Sequence, residues 1–205
     1  MTTSSTAPPA LVRLRPPPQA LPALVHRRDV GPLAWAGLLA DGHLVPLWGG
    51  VARTAGTAET PAVRAAALAG LVPARGAVGR LSAVWVHAGG AAPRRATVLV
   101  GAGTRRPDAH PDRWVAEARL PAADVVVLSG TVVTTPLRTV LDVARWEPPT
   151  VARAAVDRLA DRCGVDLAAA AAVLDDLEGH RGVRRARALL REAAGAAGTR
   201  AVRPG

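Results

Sequence analysis

The sequence predicts an α+β fold, a small mixed sheet of about four strands flanked by helices and followed by an all-helical C-terminal end. Three observations predict it. β-branched or alternating runs recur between Ala96 and Thr134. Apolar residues at helical spacing fill the chain after Pro148-Pro149. Between these two regions, Thr131 to Trp146 passes from a strand into a helix opened by a threonine and a proline.

In chain order, residues 1–28 hold Pro8, Pro9, Pro16, Pro17, Pro18 and Pro22, which remove backbone donors and disfavour helix. They predict an extended or disordered arm. Arg13, Arg15, Arg27 and Arg28 make that arm basic, able to touch phosphates or simply to be solvated. Pro32 to Ala40 predicts a short apolar helix closed by Asp41-Gly42, and His43–Leu47 and Gly50–Thr54 predict two short strands joined in a wing-like turn. This 29–57 unit precedes the main domain, assigned to 58–194. Thr60-Pro61 opens a helix reaching Gly70, and Arg80 to His87 predicts another with Leu81, Val84 and Trp85 inward. Ala96–Val100 and Arg113–Arg119 read as strands. Asp124–Leu128 and Thr131–Thr134 flank the Ser129-Gly130 pair as a hairpin. Three further helices are predicted near residues 150–163, 166–178 and 181–194, with turns at Gly164 and Gly179. Val151, Ala155, Leu159 and Cys163 form the apolar stripe of the first of these, with Arg153 and Asp157 spaced to pair. Residues 195–205 read as a disordered tail.

The most specific stretch is Val132–Arg145, VVTTPLRTVLDVAR. Thr135 can cap the helix that Pro136 begins, while Leu137, Val140, Leu141 and Ala144 define one face. Arg138 and Asp142 share another face four residues apart, predicted to point sideways or outward. The block formed by Thr135, Leu137, Arg138, Thr139, Asp142, Val143 and Ala144 resembles the C-terminal domain of AbiEi-type antitoxins of type IV toxin–antitoxin systems, in particular their actinobacterial branch. The resemblance extends more weakly over residues 33–89 and onward to about Ala194. It implies an N-terminal winged helix, of which residues 29–57 look like a truncated remnant. It also implies a cytoplasmic regulator that represses the promoter of its own operon and counters a nucleotidyltransferase toxin without tight binding. Relatives often continue into an endonuclease domain; none is expected here, since the residues after Glu192 hold no acid to serve as a metal ligand.

Composition bounds the rest. Phe, Tyr, Ile, Asn and Lys are absent, so Leu, Val, Ala and the five tryptophans must fill the core. All 26 basic residues are arginine, against 16 acids, for a net charge of +10. Such a balance favours polyanionic partners, although arginine excess from GC-rich coding would produce the same number. The candidate nucleic-acid contacts are Arg27 and Arg28 in the arm, Arg94, Arg95, Arg105 and Arg106 around the first central strand, and Arg184, Arg185, Arg187 and Arg191 on the last helix. The longest apolar run, around Ala168–Leu174, is far short of the roughly 20 residues a membrane span requires. The start of the chain, rich in Ser, Thr and Pro, does not read as a secretory signal.

No spacing predicts a reactive centre. Gly101-x-Gly103 places Arg106 where a dinucleotide loop needs its third glycine, and a chain without lysine cannot build a P-loop. The five histidines and the lone Cys163 have no metal-ligand spacing, and neither Ser82 nor Ser129 sits in a nucleophile elbow. The reading is therefore a noncatalytic, cofactor-free nucleic-acid-binding regulator. The alternative is an orphan protein-interaction or scaffold domain whose charge is compositional.

Overall fold

The computed structural model describes residues 21–104 and 106–201. It is α+β, with two antiparallel or mixed sheets and helices concentrated towards the C-terminal end.

The first sheet contains β1 (Leu24–His26), β2 (Leu44–Trp48) and β3 (Val51–Thr54) in the order β1-β3-β2. A single turn, α1 (Arg27–Val30), and α2 (Pro32–Ala40) lie between β1 and β2. The wing-like pair is therefore present, and Pro46 is tolerated because β2 is an edge strand. The end of the expected disordered arm is corrected: Leu24, Val25 and His26 pair antiparallel with Arg53, Ala52 and Val51. The burial of Val25 against Leu44 and Ala52, with Trp35, Leu38 and Leu39 packed alongside, supplies the stabilisation that an isolated proline-rich segment lacks. Residues 1–20 of that arm lie outside the described residues.

The second sheet has five strands: β4 (Gly76–Val78), β5 (Ala96–Val100), β6 (Arg113–Glu117), β7 (Val125–Leu128) and β8 (Thr131–Thr134). Their order is β6-β5-β4-β8-β7. β4 adds a strand to the four expected and occupies the centre, antiparallel to β5 and parallel to β8. All three of its residues are buried, so it shows no polar–apolar alternation, and glycine leads it. Its neighbour Gly79 lies so close to the Leu99 side chain that a Cβ there would come within 2.5 Å. β7 and β8 form the expected hairpin, with Ser129 (φ 47°) and Gly130 (φ 75°) both in the left-handed conformation that a two-residue turn of this hand demands.

α3 (Pro61–Leu68) and α4 (Arg80–Ala88) pack on one face of this sheet. There Ala65, Leu68, Val78, Trp85, Val86, Ala96 and Val133 share one core with Leu47, Trp48 and Val51 of the first sheet. The boundary expected near residue 57 thus divides the chain but not its interior. The helical end is α5 (Pro136–Trp146), α6 (Pro149–Cys163), α7 (Leu167–Val173) and α8 (Val183–Ala201). Its core joins Val84 to Val140, Val143, Val156, Leu159, Leu174 and Leu190. Thr135 Oγ1 accepts from Arg138 N at 3.2 Å and Pro136 follows, as the sequence predicts. Helix α8 runs to Ala201, through part of the expected tail.

Two faces are rotated from expectation. Leu137 is 40% exposed and Val151 is also exposed, while Asp142, expected to point sideways or outward, is 97% buried with 3% remaining accessible. Helix α5 lies between α4 and the helices α6 and α8, so both flanks of its apolar stripe are covered and the polar pair is drawn inward.

Candidate nucleic-acid interface

The register of β5 and β6 pairs Thr97 with Trp114 and Leu99 with Ala116, so these residues share a face opposite the core-facing Ala96. Leu99 is buried on that face. Two adjoining clefts, together called the groove below, lie on this side: one is lined by Arg94, Arg95, Thr97 and Trp114, the other by Leu99, Arg119, Asp124, Arg138, Asp142, Arg145 and Trp146. Arg80 lines both.

Trp114 stands on the edge strand β6 with 59% of its surface exposed. The Arg95 guanidinium lies 4.0 Å from its ring centroid and donates to the carbonyls of His110 and Arg113, which holds cation and indole as a rigid stacked pair. Trp146, at the end of α5 and 38% exposed, is ringed by the guanidiniums of Arg80, Arg145 and Arg181 at 5.5, 5.2 and 5.8 Å. Arg80 opens α4 with φ 50°, a left-handed conformation uncommon for a residue with a side chain. The residue before it is Gly79, where a Cβ would clash with Leu99, and the Arg80 side chain lines the groove.

The floor at the Trp146 end is the Arg138 cluster. Arg138 Nη1 pairs with Asp124 and donates to Arg119 O at 2.9 Å, while its Nε donates to Asp142 Oδ2 at 3.0 Å. Burial disfavours the Arg138 cation, but the two carboxylates outweigh it and hold its pKa above the ordinary value. Burial pushes the Asp142 carboxyl upward, further than Arg138, Arg80 and Arg145 pull it back. Thr139 Oγ1 lies 2.7 Å from Thr134 Oγ1 and donates to Thr135 O at 2.8 Å, tying α5 to β8. Thr135, Arg138, Thr139 and Asp142 therefore build the joint between sheet and helices, and of these only Arg138 and Asp142 line the groove.

Six arginines line the groove against four carboxylates. Asp124 and Asp142 are taken up by Arg138, leaving Arg80, Arg94, Arg95, Arg119 and Arg145 to face Glu117 and Glu147. Burial raises the Glu147 pKa against the pull of Arg80 and Arg185, which lowers its tendency to carry charge. The groove is cationic.

The other candidate arginines lie apart. Arg27 and Arg28 line a separate cleft between the two sheets with His26, His110 and Asp112. Arg106 is exposed in the loop after β5, and Arg105 lies outside the described residues. On α8, Arg185 donates to the carbonyls of Arg145 and Glu147, and Arg187 is pinned by Asp175 and the Leu174 carbonyl. Arg191 stands 3.7 Å from Asp175, and Arg184 is exposed. This helix uses its arginines largely to bind the bundle together, in place of the continuous outward phosphate track that its sequence suggests. Arg80, Arg119, Arg145, Trp114 and Trp146 were not among the sequence candidates, because they come from three separate segments that only the fold brings together.

No family model and no curated protein matches the chain. Among solved structures it is similar to the RV2827C protein from Mycobacterium tuberculosis, with 19% identity over 83% of this chain and 76% of that chain and a TM-score of 0.34. Among the described residues, no helix is long and apolar enough to cross a membrane.

Proposed function

We propose that this protein is a noncatalytic nucleic-acid-binding regulator of the antitoxin and transcriptional-repressor kind. The observation that carries the reading is the groove beside β5–β6, where five guanidiniums not absorbed by Arg138's carboxylates line the same clefts as two partly exposed indoles. Guanidiniums bind phosphates in two-pronged fashion and release condensed counterions, while indole faces offer apolar area to bases. The resemblance of the Thr135–Ala144 block to AbiEi-type antitoxins supplies the biological setting: promoter DNA of its own operon as ligand, and a nucleotidyltransferase toxin as a functional partner.

The test is fluorescence anisotropy with labelled nucleic acids, including the DNA upstream of the gene, across a salt series. Engagement of three to five arginines on a duplex gives a slope of log K against log salt of about −2.7 to −4.5. Replacing Arg94 and Arg119 with Ala should reduce that slope by about 2. Absence of binding to every nucleic acid at low salt overturns the reading. It would leave the scaffold alternative, which the inward engagement of Arg185 and Arg187 already favours for α8 itself.

A further inference from the structure

Two features of the groove are not accounted for by phosphate attraction alone. The first is Trp114, a large apolar surface held 59% exposed on an edge strand, with one face fixed against Arg95. Burial of an indole is worth a few kcal/mol, and this chain, with no Phe or Tyr, has few such side chains to use. Trp48 and Trp85 are spent in the core, at 8% and 2% exposure. The second is Trp146, partly exposed in the other cleft and likewise ringed by cations. Two aromatic platforms thus stand in adjoining cationic clefts that share Arg80.

A duplex cannot use this arrangement well. Its base faces are stacked inside the helix, so it offers phosphates and base edges but no π-face to a flat sheet. Reading base edges in a groove requires a protruding element with amide or guanidinium tips. The exposed helix nearest the wing, α2, contains only Pro, Leu, Ala, Trp and Gly, and the arginines of α8 are largely tied down. An unpaired strand matches both features: its bases can splay onto exposed rings while its phosphates follow the guanidiniums.

We infer that the groove between Trp114 and Trp146 is a binding site for single-stranded nucleic acid, with bases stacking on the two indoles and Arg80, Arg94 and Arg119 following the phosphodiester backbone. This inference rests on the nucleic-acid-binding reading above and makes an unpaired strand the groove's preferred ligand, duplex promoter DNA binding there more weakly through its phosphates alone. Base–aromatic stacking tolerates any base, so the site is indifferent to sequence. The shared ligand chemistry is an unstacked base on a phosphodiester, which single-stranded DNA and RNA both present.

The experiment compares the full chain and three variants against oligothymidylate, oligouridylate and a mixed-sequence duplex, each of about 15 nucleotides per strand. The wild-type protein should bind the single strands at least about tenfold more tightly than the duplex, with quenching of tryptophan fluorescence. Trp114→Ala should weaken single-strand binding about tenfold and duplex binding by less than half as much, whereas Trp114→Phe should retain most of the single-strand affinity. Arg94→Ala should weaken both ligands alike. Circular dichroism verifies folding, which an exposed edge position such as 114 should preserve. Comparison of the thymidylate and uridylate affinities separates a DNA ligand from an RNA ligand, the 2′-hydroxyl being the only sugar difference that the site would meet. Duplex binding as tight as single-strand binding, or Trp114→Ala without effect, overturns this inference while leaving the broader proposal standing. Failure to bind any of the three overturns both.

Discussion

At the scale of single residues, the chemistry of this molecule is arginine chemistry, and most of it serves the fold. Arg138 joins Asp124, Asp142 and the Arg119 carbonyl at the point where sheet and helices meet. Replacing it with Ala strands the nearly inaccessible Asp142 carboxylate, and the expected loss is about 3 kcal/mol of unfolding free energy by urea titration. Arg138→Lys should recover only part of this, since an ammonium cannot reproduce the fork geometry. His87 provides a pH-dependent contribution. Its Nε2 lies 2.6 Å from the Thr134 carbonyl. Burial lowers its pKa from the ordinary value of 6.5, more than the bond to Thr134 raises it, and Arg64 lowers it further. The folded state therefore holds the neutral ring while the unfolded chain takes up a proton first as pH falls. The resulting stabilisation is complete above about pH 7 and is lost as pH drops below about 6.5 towards the lower folded pKa. The urea midpoint of His87→Gln should fall less steeply between about pH 7.5 and 5.5 than that of the wild type.

At the scale of elements, helix starts and one turn decide the architecture. The Thr135 and Thr60 caps, each followed by proline, were readable because capping is a local matter of one hydroxyl and the first free N–H groups. The helix preceding α8 ends in irregular chain, and Gly182 (φ 79°) approaches the Arg145 carbonyl so closely that a Cβ would lie 2.7 Å from that oxygen. That contact seats α8 against α5, reinforced by Arg145 donating to Arg181 O and Arg185 donating to Arg145 O. Gly182→Ala combines a disfavoured φ with a backbone clash, and should cost about 2 kcal/mol and lower the melting temperature by several degrees. Gly103→Ala is the control for the backbone term alone. It too has positive φ (75°), but open space surrounds its would-be Cβ, so it should cost only about 1 kcal/mol.

At the scale of the whole molecule, the two sheets are one folding unit. Leu47, Trp48 and Val51 of the first sheet complete the core that Leu68, Trp85 and Val133 begin, and Trp48 Nε1 donates to Pro93 O at 2.7 Å across the junction. A chain truncated to begin at residue 58 would bare that surface. It should lose cooperative thermal unfolding and bind a hydrophobic dye such as ANS, whereas two independent domains would leave the remainder with a native-like melt. The groove belongs to this scale as well, since Arg80, Arg95, Trp114 and Trp146 come from α4, the residue before β5, strand β6 and helix α5.

The local rules carried much of this architecture. The Ser129-Gly130 turn, the threonine–proline helix starts, the strands at 96–100 and 131–134 and the succession of C-terminal helices all follow from neighbours within a few residues. The α+β class follows from them. Strand β4 was not legible, because a three-residue strand buried on all sides shows no alternation and its pairing partners lie about 20 and 55 residues further along the chain. The inward turn of Arg138 and Asp142 was equally hidden, since helical spacing assigns residues to a common face but does not say how many sides of the helix will be covered. Nor could spacing distinguish the buried Trp48 and Trp85 from the exposed Trp114 and Trp146, or the arginines that bind the bundle from those that line the groove. Those assignments depend on which distant surfaces meet, and the meeting is decided by burial of the shared core, a property of the folded chain as a whole.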